Sequence, residues 1–188
     1  AEQLGDSMTD WVVLTVGDGC TIAGAVKGLE EACRAGLIPK MPRVLGVQAQ
    51  GAAPLVEAAN SGSPWQPGPA ETLADSISVG HARNPYKALD AVKRAKGAWV
   101  AVSDEAILAA IATTGVLSGV FAEPAAAAAT AGVHRARDLG LINALESATI
   151  VVSGNGLKDT TSALLAVDGP IDVKASAEAV LAQLEVSP

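Results

Sequence analysis

Short apolar runs alternate along this chain with longer alanine-rich runs, and that alternation restricts the fold more than any other feature. The first run, Trp11-Val12-Val13-Leu14-Thr15-Val16, lacks the polar alternation of a strand with one wet face. It fits a strand buried on both sides, as in a parallel sheet. Strands are expected over residues 11–16, 43–48, 98–102 and 149–152. Helices are expected over 21–35, 53–60, 86–96 and 176–184, after Ser103, and from Glu123-Pro124 to Leu139. Gly36 and Gly97 close two of them, as glycine does past a helix end. Ser103 offers a cap, with Asp104 and Glu105 in a first turn where the helix dipole favours negative charge. Residues 61–70 hold three prolines and read as a loop. Parallel strands joined by helices need right-handed crossovers, which put helices on both faces of the sheet. The expected fold is therefore α/β, a three-layer sandwich with a mostly parallel sheet of four or more strands. Residues 1–188 read as a single domain. The 38 alanines and 19 glycines suit close packing of helix on sheet.

Charge and cysteine content exclude some functions. The net charge of −7 counts against nucleic acid, whose partners carry a basic face. No apolar run approaches the ~18 residues of a membrane span. Residues 1–6 have neither the basic start nor the apolar stretch of a signal peptide. Cys20 and Cys33 form no disulfide framework and no metal-ligand spacing, so no metal is expected. A reducing cytoplasm is the expected setting. His134 shares a polar helix face with Arg135, Arg137 and Asp138 and is expected at the surface. Trp11 and Trp99 read as core, and Trp65 as an exposed anchor or lid residue.

Ligands in such folds bind beyond the carboxyl ends of the strands. Two expected strands end there in glycine-rich turns. In Gly17-Asp18-Gly19-Cys20-Thr21, glycines let the backbone approach an anion, and the following helix aims free N–H groups at it. A phosphate is the physical expectation. The dinucleotide pattern G-x-G-x-x-G fails at Ile22, and the turn has no lysine for a Walker loop. The turn alone is equally compatible with a tight connection that binds nothing. The Cys20 thiol reads as a packing group. The second turn is Ser153-Gly154-Asn155-Gly156-Leu157-Lys158-Asp159. Ser153 offers a neutral hydroxyl, which can bond a heteroaromatic nitrogen without holding it protonated. Lys158 and Asp159 read as solvated.

Several segments, in order, resemble the threonine synthases, pyridoxal-phosphate enzymes of the fold-type II (tryptophan-synthase-β-like) group. Asp10-Trp11-Val12-Val13 and Val16-Gly17-Asp18-Gly19 are similar to the family's strand and phosphate loop. The run Pro42-Arg43-Val44-Leu45-Gly46-Val47-Gln48-Ala49-Gln50-Gly51-Ala52-Ala53-Pro54-Leu55-Val56 is similar to a second stretch, and Glu71-Thr72-Leu73-Ala74-Asp75-Ser76-Ile77 with Asn84-Pro85 to a third. Gly119-Val120-Phe121-Ala122-Glu123-Pro124-Ala125 resembles Gly-Ile-Phe-x-Glu-Pro-Ala, and the second turn resembles the closing Thr/Ser-Gly-x-Gly-Leu-Lys-Asp motif. Thr9, Thr21 and Ala126 depart from the family's Pro, Asn and Ser.

The resemblance implies a large cofactor domain that binds pyridoxal 5'-phosphate. The amides of Gly17, Asp18, Gly19, Cys20 and Thr21 would cradle its phosphate. Ser153 would bond the pyridine nitrogen, Gly154 and Asn155 would line the ring, and Glu123 would lie near its edge. The implied reaction turns O-phospho-L-homoserine and water into L-threonine and phosphate. A threonine dehydratase or a cysteate synthase is the close alternative, and a non-catalytic module for a phosphate-bearing ligand is another. The family's Schiff-base lysine, substrate loop and small mobile domain belong to an N-terminal half whose motifs do not occur here. No catalytic residue is therefore assigned. Residues 1–188 are expected to be the C-terminal portion of a longer enzyme, inactive alone, and the first Met at position 8 agrees. Apolar surface left open by the missing half is expected to be buried in a homodimer.

Overall fold

The computed structural model describes residues 1–167, 169 and 171–186. Among these, four strands form one sheet: β1 (Trp11–Thr15), β2 (Arg43–Ala49), β3 (Ala98–Val102) and β4 (Ala148–Ile150). Their order is β3-β2-β1-β4, and every pairing is parallel. Seven α-helices are described: α1 (Cys20–Arg34), α2 (Pro54–Ser61), α3 (Pro85–Arg94), α4 (Asp104–Ser118), α5 (Pro124–Asp138), α6 (Thr160–Ala166) and α7 (Ala177–Val186). No described helix is long and apolar enough to cross a membrane.

Both faces of the sheet are buried, as the apolar runs require. Trp11, Val13, Leu45, Val47, Val100 and Val102 pack toward α5 and α4. Val12, Leu14, Val16, Val44 and Trp99 pack toward α1, α2 and α3. Val13, Leu45 and Val47 are fully buried, which stabilises the fold by roughly 1.5–3 kcal/mol each. Trp99 lies opposite Gly46 in the register. Its indole fills the space that a side chain at position 46 would take, since a Cβ there would stand 2.5 Å from the ring. Trp11 and Trp99 are core, as expected.

The alanines concentrate in α5, which lies between the sheet and α4. Every residue from Pro124 to Gly132 is buried, so this stretch has no solvent face. Small side chains permit that: a Cβ on Gly132 would sit 2.3 Å from Val47 Cγ2. One polar pair is enclosed here, Thr114 and Thr130, whose hydroxyls bond each other at 2.9 Å.

Two elements differ from expectation. β4 stops at Ile150 rather than at residue 152. Val151 N donates the last bond to β1, to Val13 O, and the chain then turns toward residues 121–123. There Ala122 and Asn155 form an antiparallel bridge. Helix α6 was not anticipated; Asp159 starts it by accepting from Ser162 N at 3.0 Å and from Ser162 Oγ at 2.6 Å. Trp65 is half-buried, edge-on to His81 and Tyr86 at 5.5 and 6.3 Å.

Candidate functional site

β1 and β4 are neighbours, so the turns that leave their carboxyl ends fall side by side. Between them lies a cavity of about 280 Å³. Gly17, Asp18, Cys20 and Thr21 line one side, and Ser153 and Ser76 contribute to the rest. Residues 136 positions apart, Gly17 and Ser153, thus share one site (153 − 17).

The first wall is a helix N-terminus. Gly19 caps α1 with φ +82°, a conformation that side chains disfavour. The space is closed as well: a Cβ there would stand 2.8 Å from Ala88 Cβ and 3.0 Å from Asn84 O. The first helical bond runs from Ala23 N to Gly19 O. Among the described residues, none accepts a hydrogen bond from the amides of Gly17, Asp18, Gly19, Cys20 or Thr21. Five uncommitted donors at the start of a 15-residue helix make a strong anion cradle. Asp18 does not spoil it. Its carboxylate accepts from Arg83 N at 3.1 Å and lies 3.7 Å from Arg83 Nε. Its carbonyl accepts from Asn84 N at 2.9 Å, which ties the turn to the start of α3. Cys20 and Thr21 are exposed, so the thiol is not the packing group expected.

A residue without a local motif supports this wall from below. Gln48, on β2, is fully buried. Its Nε2 donates to Val16 O at 3.2 Å, one residue before the glycine turn. Its Oε1 accepts from Leu55 N and Val56 N at 2.9 and 3.1 Å.

The second wall is the turn after β4. Ser153 is exposed, and its hydroxyl bonds no described residue. Asn155 is also exposed, but its Oδ1 accepts from Leu157 N at 2.9 Å and so shapes the turn. Of the residues expected at the cofactor, Gly19, Glu123, Gly154 and Asn155 do not reach the cavity lining. Glu123 is buried against Gly154 and pairs with Lys158, Nζ to Oε2 2.7 Å. Lys158 and Asp159 are therefore engaged rather than simply solvated. His134 is exposed, as expected.

Hydrogen bonds from the Ser162 hydroxyl and amide hold the Asp159 carboxyl below the usual aspartate value. A depressed folded value adds stability above the ordinary pKa near 3.9, and that stability is lost as pH falls through the folded value. Asp159→Ala is thus expected to lower the urea midpoint at pH 7. The gap to the parent should narrow steadily below about pH 4. A gap that is constant from pH 7 to pH 2.5 would show that the charge plays no part.

Two larger grooves, of about 580 and 620 Å³, flank α4 and α5. Neither offers the row of free amides, so the smaller cavity is the better chemical candidate. The groove of about 620 Å³ follows β4 past Ala148, Ile150 and Val152 and is mainly apolar.

Comparison with known proteins identifies the family. A family described as pyridoxal-phosphate dependent enzymes matches residues 1–154. A threonine synthase of Methanosarcina acetivorans is 35% identical over 183 residues, which cover 96% of this chain and 45% of that protein. A threonine synthase of Mycobacterium tuberculosis is 42% identical over 151 residues, 80% of this chain and 40% of that protein. The chain therefore spans less than half the length of these relatives. Among solved structures, the processed form of threonine deaminase isoform 2 from Solanum lycopersicum superposes with a TM-score of 0.68 at 22% identity. That match covers 88% of this chain and 45% of the other. Serine racemase from Dictyostelium discoideum gives 0.59 at 19%, covering 79% of this chain and 44% of the other. These neighbours share the fold-type II architecture. The chain belongs to the pyridoxal-phosphate dependent enzyme family.

Proposed function

We propose that this chain is the cofactor-holding portion of a threonine synthase-like lyase. One observation carries the reading: a glycine turn whose five amides are uncommitted, four of its residues (Gly17, Asp18, Cys20 and Thr21) lining the cavity, shares that cavity with an unbonded serine hydroxyl. That donor set suits a phosphate ester joined to a heteroaromatic ring. The amides of Gly17 to Thr21 would bind the phosphate, helped by the α1 dipole. Gly17 and Gly19 hold the turn close against its neighbours, since a Cβ at Gly17 would meet Val79 and one at Gly19 would meet Ala88 and Asn84. Ser153 would bond the ring nitrogen through a neutral hydroxyl, which does not hold a proton there as a carboxylate would. Gly154, Asn155 and Glu123 would support the ring's edge from beneath the turn. When bound, pyridoxal phosphate supplies an electron sink for carbanions of amino-acid substrates.

None of the chain's lysines lines the cavity. The lysine that holds the cofactor covalently would therefore come from residues outside this sequence, as would the loop that binds O-phosphohomoserine. Those residues would also cover the apolar groove along β4. The 188 residues alone would not turn over phosphohomoserine. Relatives named threonine synthase, at 35% and 42% identity, favour this reaction over that of the threonine deaminase fold neighbour at 22%.

Titration with pyridoxal 5'-phosphate, with and without borohydride reduction, tests the reading. Saturable binding that inorganic phosphate competes away is expected, with no single lysine trapped. Specific trapping at one lysine would refute the absence of that residue. No binding of either ligand would refute the site, and turnover of phosphohomoserine would refute the inactivity.

A further inference from the structure

Lys158 lies in the turn after β4 with its side chain 61% exposed, yet its ammonium is held at two points. Nζ stands 2.7 Å from Glu123 Oε2 and 3.4 Å from Ser76 Oγ. The Glu123 side chain is only 8% exposed. A carboxylate so buried needs a partner, because an unpaired charge there strongly disfavours the folded arrangement. Gly154 accounts for where the carboxylate lies. A Cβ at that position would fall 1.9 Å from Glu123 Oε1, so the carboxylate fills the space of the missing side chain.

Three segments meet at this ammonium: the start of α5, the turn of residues 153–159, and the turn at Asp75–Ile77. Backbone bonds already join the first two, Glu123 N to Gly154 O at 3.0 Å and Gly156 N to Phe121 O at 2.9 Å. Neither reaches the third segment; the bond to Ser76 does. Ser76 and Ser153 both line the cavity, so Lys158 ties together two of its walls from behind.

We propose that Lys158 is a positioning residue that, by pairing with Glu123 and Ser76, fixes the turn presenting Ser153 to the cavity. The proposal rests on the reading of that cavity as the cofactor site. The pair also neutralises the buried carboxylate beside Gly154. The serine hydroxyl next to it is then presented without a neighbouring uncompensated charge.

The test uses the 188-residue chain as Lys158→Met, Lys158→Arg and the double variant Lys158→Met/Glu123→Gln. Hydrogen exchange of the Glu123 and Gly156 amides is measured without ligand. The Kd for pyridoxal 5'-phosphate is measured separately. Lys158→Met is expected to speed exchange at both amides by about tenfold and to weaken binding by a similar factor. Lys158→Arg should keep both within about threefold, because a cation still meets the carboxylate. The double variant should regain most of the lost protection, since no buried charge is left unpaired. Unchanged exchange in Lys158→Met overturns the proposal. So does an arginine variant as impaired as the methionine one, or a double variant that regains nothing. Should the parent chain bind no pyridoxal phosphate while exchange responds as expected, the positioning role stands and the cofactor reading falls.

Discussion

Gln48→Met is expected to remove about 3–6 kcal/mol of folding stability, read as a lower urea midpoint with an unchanged slope. Methionine matches glutamine in length and leaves no void, so the change isolates the polar groups. Gln48 is fully buried and serves three of them: Val16 O, Leu55 N and Val56 N. The two amides belong to the first turn of α2, where a helix has no internal acceptors. Ala53, which precedes the helix, offers no side-chain cap. Each orphaned buried group costs roughly 1–3 kcal/mol, against a total stability of about 5–15 kcal/mol for a domain. The same substitution frees the carbonyl just before Gly17, so phosphate affinity should fall with stability. A midpoint shift worth less than about 1 kcal/mol would mean that these groups find other partners.

Gly19→Ala is expected to weaken binding of phosphate-bearing ligands by about tenfold or more while the chain still folds. The position has φ +82°, which costs a non-glycine residue about 1–3 kcal/mol. The added methyl would also press on Ala88 Cβ at 2.8 Å and Asn84 O at 3.0 Å, both belonging to or bordering α3. Relief requires the turn to move away from α3, and the turn's amides move with it. A cradle of aligned donors depends on their joint direction, so a loss of tenfold or more in affinity follows from about 1.4 kcal/mol of misalignment. Titration with inorganic phosphate, alongside circular dichroism, separates the two effects. Unimpaired phosphate affinity in a folded variant would remove the glycine turn from the site.

What the sequence revealed, and what it hid, follows from the range of the interactions. β3 was legible at both ends, because Ala98 to Val102 is an isolated apolar run after Gly97. The glycine turn was legible because Gly17 and Gly19 act on their own backbone. Ser103 was legible as a cap, and its Oγ accepts from Ala106 N. The end of β4 was not, because it depends on where β1 stops offering partners. Helix α6 was hidden because seven residues carry little periodicity and its start depends on Asp159, which looked like a surface charge. Gln48 carries no local sign that it serves Val16 and α2 at once. The pairing of Lys158 with Glu123 is likewise invisible, because only folding brings the two segments together. Ser153 and the first turn were placed on one edge by the alternation of strands and helices, and the structure puts both on one cavity.

The pairing of β1 with β4 also bears on the order of assembly. These strands meet late in the sequence: their flanking residues Asp10 and Ser147, joined by Ser147 N to Asp10 Oδ2, are 137 positions apart. Bringing such distant segments together costs loop-closure entropy before any contact forms, and three strand pairs return little of it. The β1–β2 ladder and α1 draw on much nearer partners. The anion cradle can thus form while the serine wall is still absent. On the proposed reading the phosphate wall would form before the serine wall, and fraying of β4 would separate the two again.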